Sequence, residues 1–160
     1  GEWGELNLGQ LVRQKYGDRA FAIGFSTHRG TVTAARDWDG PAEQRQVGPS
    51  LDGSYERLFH EVGIDRFFIR LRPSTPLAAD ASISLGAEDT VRDALSRTRL
   101  ERAIGVIYAP ETERASHYFR AQLARQFDLM IHVDQTRALT PLERWSRHES
   151  DVPETFPTGV

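Results

Sequence analysis

Gly24-Phe-Ser-Thr-His-Arg-Gly-Thr-Val-Thr-Ala-Ala-Arg-Asp-Trp-Asp-Gly-Pro41 sets two β-prone runs on either side of a short break. The first run begins earlier, at Ala20, and reaches Thr27, with Phe21, Ile23 and Phe25 on one face. Alternation of this kind marks a strand, because successive side chains point to opposite faces. The second run is Thr31 to Ala35, and only His28-Arg29-Gly30 lies between the two. A short Gly-containing connection between β-prone runs predicts an antiparallel hairpin. Asp37 to Gly53 is then expected as a long loop rich in Gly, Pro, Asp and Gln, the kind that forms site walls.

Working outward, Asn7 is placed to cap a helix carrying Leu8, Leu11 and Val12 inward, with Gly17 as its stop. Ser54 caps the next helix, where Tyr55, Leu58, Phe59 and Val62 recur at helical spacing and Gly63 ends the run. Arg66 to Leu71 reads as a strand, with Phe67 and Ile69 opposed to Phe68 and Leu71. Pro73 to Gly86 is irregular and is expected to be the most mobile internal segment. Glu88 to Arg97 is expected as a helix with Val91, Ala94 and Leu95 inward. Ala103 to Tyr108 and Leu129 to Val133 read as buried strands, and the ambiguous stretch between them holds a helix around Tyr118 to Ala124. Pro141 opens a last helix to Trp145, and Val152-Pro-Glu-Thr-Phe-Pro157 lies extended, anchored by Phe156. The order of elements predicts a single domain over residues 1–160 of mixed α/β class. Its sheet is expected to be mostly parallel, with one antiparallel hairpin at or near an edge and helices packed on it.

The 160 residues suffice for one domain with a real core. A net charge of -3 argues against a nucleic-acid partner, which calls for a basic face. Lys15 is the only lysine, so guanidinium groups supply nearly all positive charge, either from genome composition or for carboxylate and phosphate recognition. The absence of cysteine removes disulfides, thiolate nucleophiles and Cys-ligated zinc, and it fits a cytoplasmic protein. No apolar run reaches the length of a membrane span.

Ligands of open α/β sheets gather beyond the C-terminal ends of parallel strands. If the strands run parallel, Thr27 and His28, Arg70 and Arg72, Tyr108 and Glu111, and His132 and Asp134 all follow such ends. His132 and Asp134 have strand spacing and can share a face, either as a base with its orienter or as a strand-end histidine satisfied by a neighbour. His28 is either an exposed turn residue or a donor projecting into a pocket. His117 sits among acid, hydroxyl and aromatic groups in Glu113-Arg-Ala-Ser-His-Tyr-Phe119. Trp38, between Asp37 and Asp39, is either an aromatic pocket wall or a plug at the core edge. His60 and His148 read as solvent-facing residues. A Gly-x-Ser-x-Gly elbow, a phosphate loop, a Gly-x-Gly-x-x-Gly turn and a His-Glu-x-x-His pair are all absent. No self-contained catalytic set, cofactor site or metal site is expected.

Several segments together resemble the C-terminal part of the erythromycin esterase family. They are Gly4-Glu-Leu-Asn-Leu-Gly-Gln-Leu-Val-Arg13, the Gly24 to Pro41 run, Leu100-Glu-Arg-Ala-Ile-Gly-Val-Ile-Tyr108, Pro110-Glu-Thr-Glu113, Ser116-His-Tyr-Phe119 and Val152-Pro-Glu-Thr-Phe-Pro157. The resemblance implies a bacterial, cytoplasmic hydrolase of carboxylic esters or lactones. The best known members open the macrolide lactone and confer antibiotic resistance. It also implies water activation by a histidine base and nearby glutamates, without an obligatory metal or cofactor. Those residues, with a His-Asn-x-His segment, precede the position matched by Gly4, so no catalytic residue is expected within this chain and none of its five histidines inherits the base role. What carries over by resemblance is a pocket wall of His28, Thr31 and His117, beside Trp38.

A chain holding only this part of the family fold is expected to be incomplete, to expose apolar surface, and to pair with the missing N-terminal half or with itself. Its other partner is a small-molecule ester or lactone, with no nucleic acid and no membrane. One alternative is a non-enzymatic interaction or regulatory module. A second is a metal-dependent hydrolase built on His28, His117, His132 and Asp134, which would bind zinc stoichiometrically.

Overall fold

The computed structural model describes residues 7–72 and 85–140, with side chains from residue 90 onward in the second stretch. The expectations for residues 73–84, for the helix opened by Pro141 and for the Phe156-anchored tail lie outside the described residues.

The first helix, α1 (Leu8–Tyr16), starts where expected. Asn7 accepts the Gln10 N–H at 2.9 Å and Gln10 accepts the Asn7 N–H at 3.0 Å, a reciprocal cap. Its apolar stripe is not turned inward, however: Leu8, Leu11 and Val12 are all exposed. Charge tethers the helix instead. Arg13 bonds Asp128 and the Ala20 carbonyl, and Asp128 also takes the Ala22 N–H at 2.6 Å and the Arg72 guanidinium at 2.8 Å.

The strand at the head of the chain does not fold back as a hairpin. β1 (Ile23–Ser26) runs parallel to β7 (Leu129–Val133), from Ile23 opposite Leu129 to Ser26 opposite His132. The chain bends at Thr27 and His28, and β2 (Arg29–Ala34) continues parallel to β8 (Gln135–Thr136) in unchanged register. The two pairs are thus one bent parallel ribbon. The Asp134 carbonyl stitches the bend by accepting the N–H groups of His28 (3.1 Å) and Arg29 (3.0 Å). Gly30 is therefore not a turn residue. A Cβ built there would lie 2.1 Å from the Thr136 carbonyl oxygen, so glycine is what lets the two backbones meet.

The antiparallel hairpin exists one strand later. β2 pairs with β3 (Glu43–Val47), which takes an edge of the sheet β3-β2-β8, inside the stretch expected as loop. Its Glu-Gln-Arg-Gln core carries no strand signal, and only Val47 is buried. A second sheet, β1-β7-β4, places β4 (Arg66–Arg70) antiparallel to β7. The third is the antiparallel pair β5 (Arg99–Arg102) and β6 (Tyr118–Ala121). The class is mixed α/β, as expected, but the described strands form two parallel and three antiparallel pairings across three small sheets.

Two strand expectations move. The apolar run Ala103–Tyr108 contributes only a bridge between Ile107 and Ala35, with Val106 largely exposed. The charged Arg-Leu-Glu-Arg before it forms the strand, with Glu101 and Arg102 both buried. The stretch expected as helix opens as β6 and becomes helical only at α5 (Leu123–Gln126), after the short α4 (Glu113–Ser116).

The core lies between the sheet β1-β7-β4 and the helices α2 (Tyr55–Glu61), α3 (Leu85–Leu95) and α5. It contains Tyr55, Phe59, Leu71, Leu95, Ala121, Leu123 and Met130. Ser54 caps α2 by accepting the Arg57 N–H at 3.1 Å, but Val62 at its end is exposed. Of the residues expected inward on α3, Leu95 is buried and Val91 is exposed. The Tyr55 hydroxyl donates to the Arg97 carbonyl and accepts the Leu123 N–H at 3.1 Å, tying three elements at one point. The opposite face of the sheet is bare, with Ile23, Phe25 and Phe68 exposed. No helix among the described residues is long and apolar enough to cross a membrane.

Gly30→Ala is expected to lower unfolding stability by about 3 kcal/mol or more, through the Thr136 clash and a φ of 137°. Gly48→Ala, whose added carbon meets nothing within 4 Å, should stay within about 0.5 kcal/mol of the parent. Urea titrations of the two variants measure both.

Candidate functional site

The bend in the ribbon gathers polar groups that are far apart in sequence. His28 is buried at the bend and its Nδ1 shares a 2.7 Å hydrogen bond with the Ser50 hydroxyl. Its ring stacks on His60 of α2, with centroids 3.6 Å apart and planes 3° from parallel. His60 Nδ1 donates to Asp134 Oδ1 at 2.7 Å. His132 of β7 is fully buried, shares a 3.0 Å hydrogen bond with Ser26, and lies 3.5 Å from Asp134 Oδ1. The Asp134 side chain and carbonyl thus hold the cluster and the bend together.

Electrostatics follow from burial and from this one carboxylate. Burial lowers the pKa of His28, and the neighbouring His60 lowers it further. Burial likewise lowers that of His132 against the opposing pull of Asp134. Burial alone would raise Asp134, but the hydrogen bond and charge of His60, then those of His132 and His28, hold it below the usual carboxylate range. Burial therefore favours the neutral imidazole at both His28 and His132.

On the other side of the bend sits Arg102, whose guanidinium is almost wholly buried. It donates to the carbonyls of Thr27 (2.7 Å), His28 (2.7 Å) and Gly48 (3.0 Å), and to Glu113 at 2.9 Å. Tyr108 donates to the same Glu113 oxygen at 2.8 Å. The Arg102 N–H is taken by Glu56 of α2 at 3.0 Å. Glu101, its neighbour in β5, is also buried, and burial together with the Glu56 charge pushes its carboxyl up to about 7. Glu56, Arg102, Ser26 and Thr31 all border a cavity of about 480 Å³ with an apolar rim, a size that suits a small organic molecule.

The expected site residues are distributed as follows. Thr31 lines this cavity, its hydroxyl accepting the Ala138 N–H at 2.8 Å. His28 stands behind the cavity wall, its carbonyl on Arg102 and its ring in the histidine cluster. Trp38 is 82% exposed in the β2–β3 connection. His117 accepts the Ala109 N–H at 3.1 Å and packs its ring against Tyr108. Among the described residues, no group of three or more His, Asp and Glu side chains is arranged to hold a metal ion.

Nothing in the residue pattern singles out Glu56, Glu101 or Arg102, and by the same pattern His60 reads as a solvent residue. Glu56 looks like an ordinary acid in the first turn of a helix. Glu101 and Arg102 look like surface charges at the head of an apolar run. The one available signal was Asp134, which pairs with a histidine as its spacing suggested and recruits His60 as well.

The raised carboxyl gives a testable pH dependence. The folded chain holds the Glu101 proton up to about 7, whereas an ordinary glutamate releases it near 4.5. Between those values the folded state binds more protons, so this group's contribution falls as pH rises. His28 and His132 act with the opposite sign. Held below 6.5, they stay neutral while the unfolded imidazoles protonate, so their contribution is lost as pH falls below 6.5. Glu101→Gln keeps the neutral shape and is expected to be about 3 kcal/mol more stable than the parent at pH 8. At pH 4 it should be no more stable. Urea unfolding at both pH values measures the difference.

Two solved structures share this fold. A crystal structure of a Bacillus cereus protein superposes with a TM-score of 0.61 at 22% identity, covering 81% of this chain and 28% of that one. A second, described as a succinoglycan biosynthesis protein, gives 0.60 at 19% identity, covering 82% of this chain and 28% of that one. The chain therefore spans just over a quarter of the length of either. The family described as erythromycin esterase matches residues 1–136. With the match running through the bent ribbon and the histidine cluster, the chain belongs to the erythromycin esterase family.

Proposed function

We propose that this chain forms one wall of the active site of a carboxylic-ester or lactone hydrolase. The water is activated by a histidine and glutamates from a part of the family fold preceding the position of Gly4. The observation that carries the reading is the family match over residues 1–136, in a chain spanning 28% of each solved structure of the same fold. The chemistry of the cavity supports it. A rigid network around Arg102 fixes its floor, and an ester carbonyl must be held still against its nucleophile for rate acceleration. The four described histidines, His28, His60, His117 and His132, are left to structural and electrostatic roles. A macrolide lactone is the substrate class to test first and short acyl esters second. The absence of cysteine supports placing the enzyme in the cytoplasm.

The partner in this reading is the remainder of the family fold. It covers the bare face of β1-β7-β4, where Ile23, Phe25 and Phe68 stand exposed. A chain without that cover associates with itself through the same face.

Hydrolysis of a macrolide lactone and of p-nitrophenyl esters, measured for this chain and for a longer form carrying the preceding family segment, tests the proposal. The chain alone should stay at the buffer rate while the longer form turns over. Turnover by the chain alone that disappears on replacing one of its histidines would overturn the assignment. So would a longer form inert on every ester and lactone. Sedimentation should show the chain above its 18.1 kDa monomer mass, with Phe68→Glu shifting it toward the monomer. A monodisperse parent monomer would remove the apolar face from the proposed contact.

A further inference from the structure

The bare face of β1-β7-β4 carries a charge pattern as well as an apolar one. Strand alternation turns Met130 and His132 inward, which leaves Leu129, Ile131 and Val133 of β7 on the outer face. The register sets them beside residues of β4 and β1 in rows. Arg70, Leu129 and Ile23 form one row, Phe68, Ile131 and Phe25 the next, and Arg66 stands beside Val133 in the last. Ile23, Phe25 and Phe68 are exposed, and so are both arginines. A shallow groove of about 540 Å³ runs over this face, bordered by Ile23, Phe68, Ile131 and Arg66.

No acid stands in these rows. The Arg66 and Arg70 side chains make no ion pair or hydrogen bond among the described residues. Arg72, the next arginine along the chain, is by contrast held by Asp128 at 2.8 Å. β4 is an edge strand of its sheet, so the two unpaired guanidinium groups line one flank of an apolar surface. The opposite face of the sheet is covered by α2, α3 and α5, and sheets with parallel strands ordinarily carry helices on both faces. The chain spans 28% of each solved structure of this fold, so most of that fold is available to supply the second cover.

A helix laid along β7 sets its apolar stripe on Leu129, Ile131 and Phe25 and one flank over β4. Arg66 and Arg70 are about 13 Å apart along the strand. Carboxylates two helical turns apart lie about 10.5 Å apart on one flank, within reach of two flexible arginines. The exposed stripe of α1 from a second copy does not fit, because that helix holds Arg13 and Lys15 and no acid. An anionic lipid surface is disfavoured by the net charge of -3 and by the confinement of positive charge to one edge.

We propose that the outer face of β1-β7-β4 receives an acidic amphipathic helix from the part of the family fold outside this chain. Its apolar stripe lies on the Phe68, Ile131 and Phe25 row, and two of its carboxylates pair with Arg66 and Arg70. The inference rests on the reading that the remainder of the fold covers this face, and it names the chemistry of that cover.

Three synthetic peptides of about 18 residues, long enough to overlie β4, test it. They share one apolar stripe and carry glutamate, glutamine or lysine along one flank. Each is titrated into the purified chain and followed by amide chemical shifts. At about 50 mM salt the glutamate peptide should bind roughly fivefold tighter than the glutamine peptide, with the lysine peptide weakest. Saturable shifts should fall at residues 23–25, 66–70 and 129–133, and the glutamate advantage should shrink at about 0.5 M salt. Combining Arg66→Gln and Arg70→Gln should bring the glutamate peptide to the level of the glutamine peptide, with an unchanged urea midpoint showing that the fold is kept. If that variant fails to fold, the order of the three peptides on the parent chain decides alone. Equal binding of all three, no binding, shifts elsewhere, or an unchanged glutamate preference in the folded double variant would overturn the proposal. Cosedimentation with phosphatidylserine vesicles that the double variant loses would also overturn it, by assigning the face to a membrane. None of these readouts involves turnover. A longer form inert on esters would therefore remove the hydrolase reading and leave the docked helix standing, and loss of peptide selectivity would do the reverse.

Discussion

Everything near the candidate site depends on one buried guanidinium. Arg102 reaches from β5 to the bend of the parallel ribbon, where it binds the carbonyls of Thr27 and His28. These acceptors fall where the chain passes from one sheet to the next, so no ladder bond is available to them. A buried carbonyl without a partner costs about 1–3 kcal/mol, and a buried charge stripped of its partner about 3–5 kcal/mol. Arg102 settles both needs at once, while Glu113 and the Gly48 carbonyl complete its set. The bend is thereby fixed, and with it the cavity on one side and the histidine cluster on the other.

The two sides of the bend are held by different charges. On the cluster side, Asp134 Oδ1 accepts from His60 and lies 3.5 Å from His132 Nε2, which is buried without a hydrogen bond among the described residues. Around Arg102, Glu113 pairs with the guanidinium, and Glu56 and Glu101 both carry a buried oxygen without a hydrogen bond among the described residues.

What could be read in advance was what is local. The Asn7 and Ser54 caps, the stop at Gly17 and the buried strand Leu129–Val133 depend on neighbours a few residues away, and all occur. The pairing of β1 and β2 did not follow from local signals. His28-Arg29-Gly30 has the composition of a hairpin turn, but the partner strands come from the far end of the described chain, at Leu129 to Thr136. Gly30 is glycine because of Thr136, which no window of sequence around it contains. β3 was hidden because an edge strand needs backbone pairing and not hydrophobic side chains. β5 was hidden because its buried residues are charged, and pattern reading places charge at the surface. The same rule concealed Glu56, Glu101 and Arg102 as site residues and left His60 in solvent, when its ring is stacked on His28.

Amide hydrogen exchange in Arg102→Lys tests the keystone role most directly, because lysine keeps the charge and loses the planar fork. The His28 and Arg29 amides, which both bond the Asp134 carbonyl, report the bend, and the amides of β4 and β7 report the sheet away from it. If Arg102 holds the bend, protection at His28 and Arg29 falls by roughly a hundredfold while that of β4 and β7 is retained. Unchanged protection at His28 and Arg29 in a folded Arg102→Lys protein would contradict it.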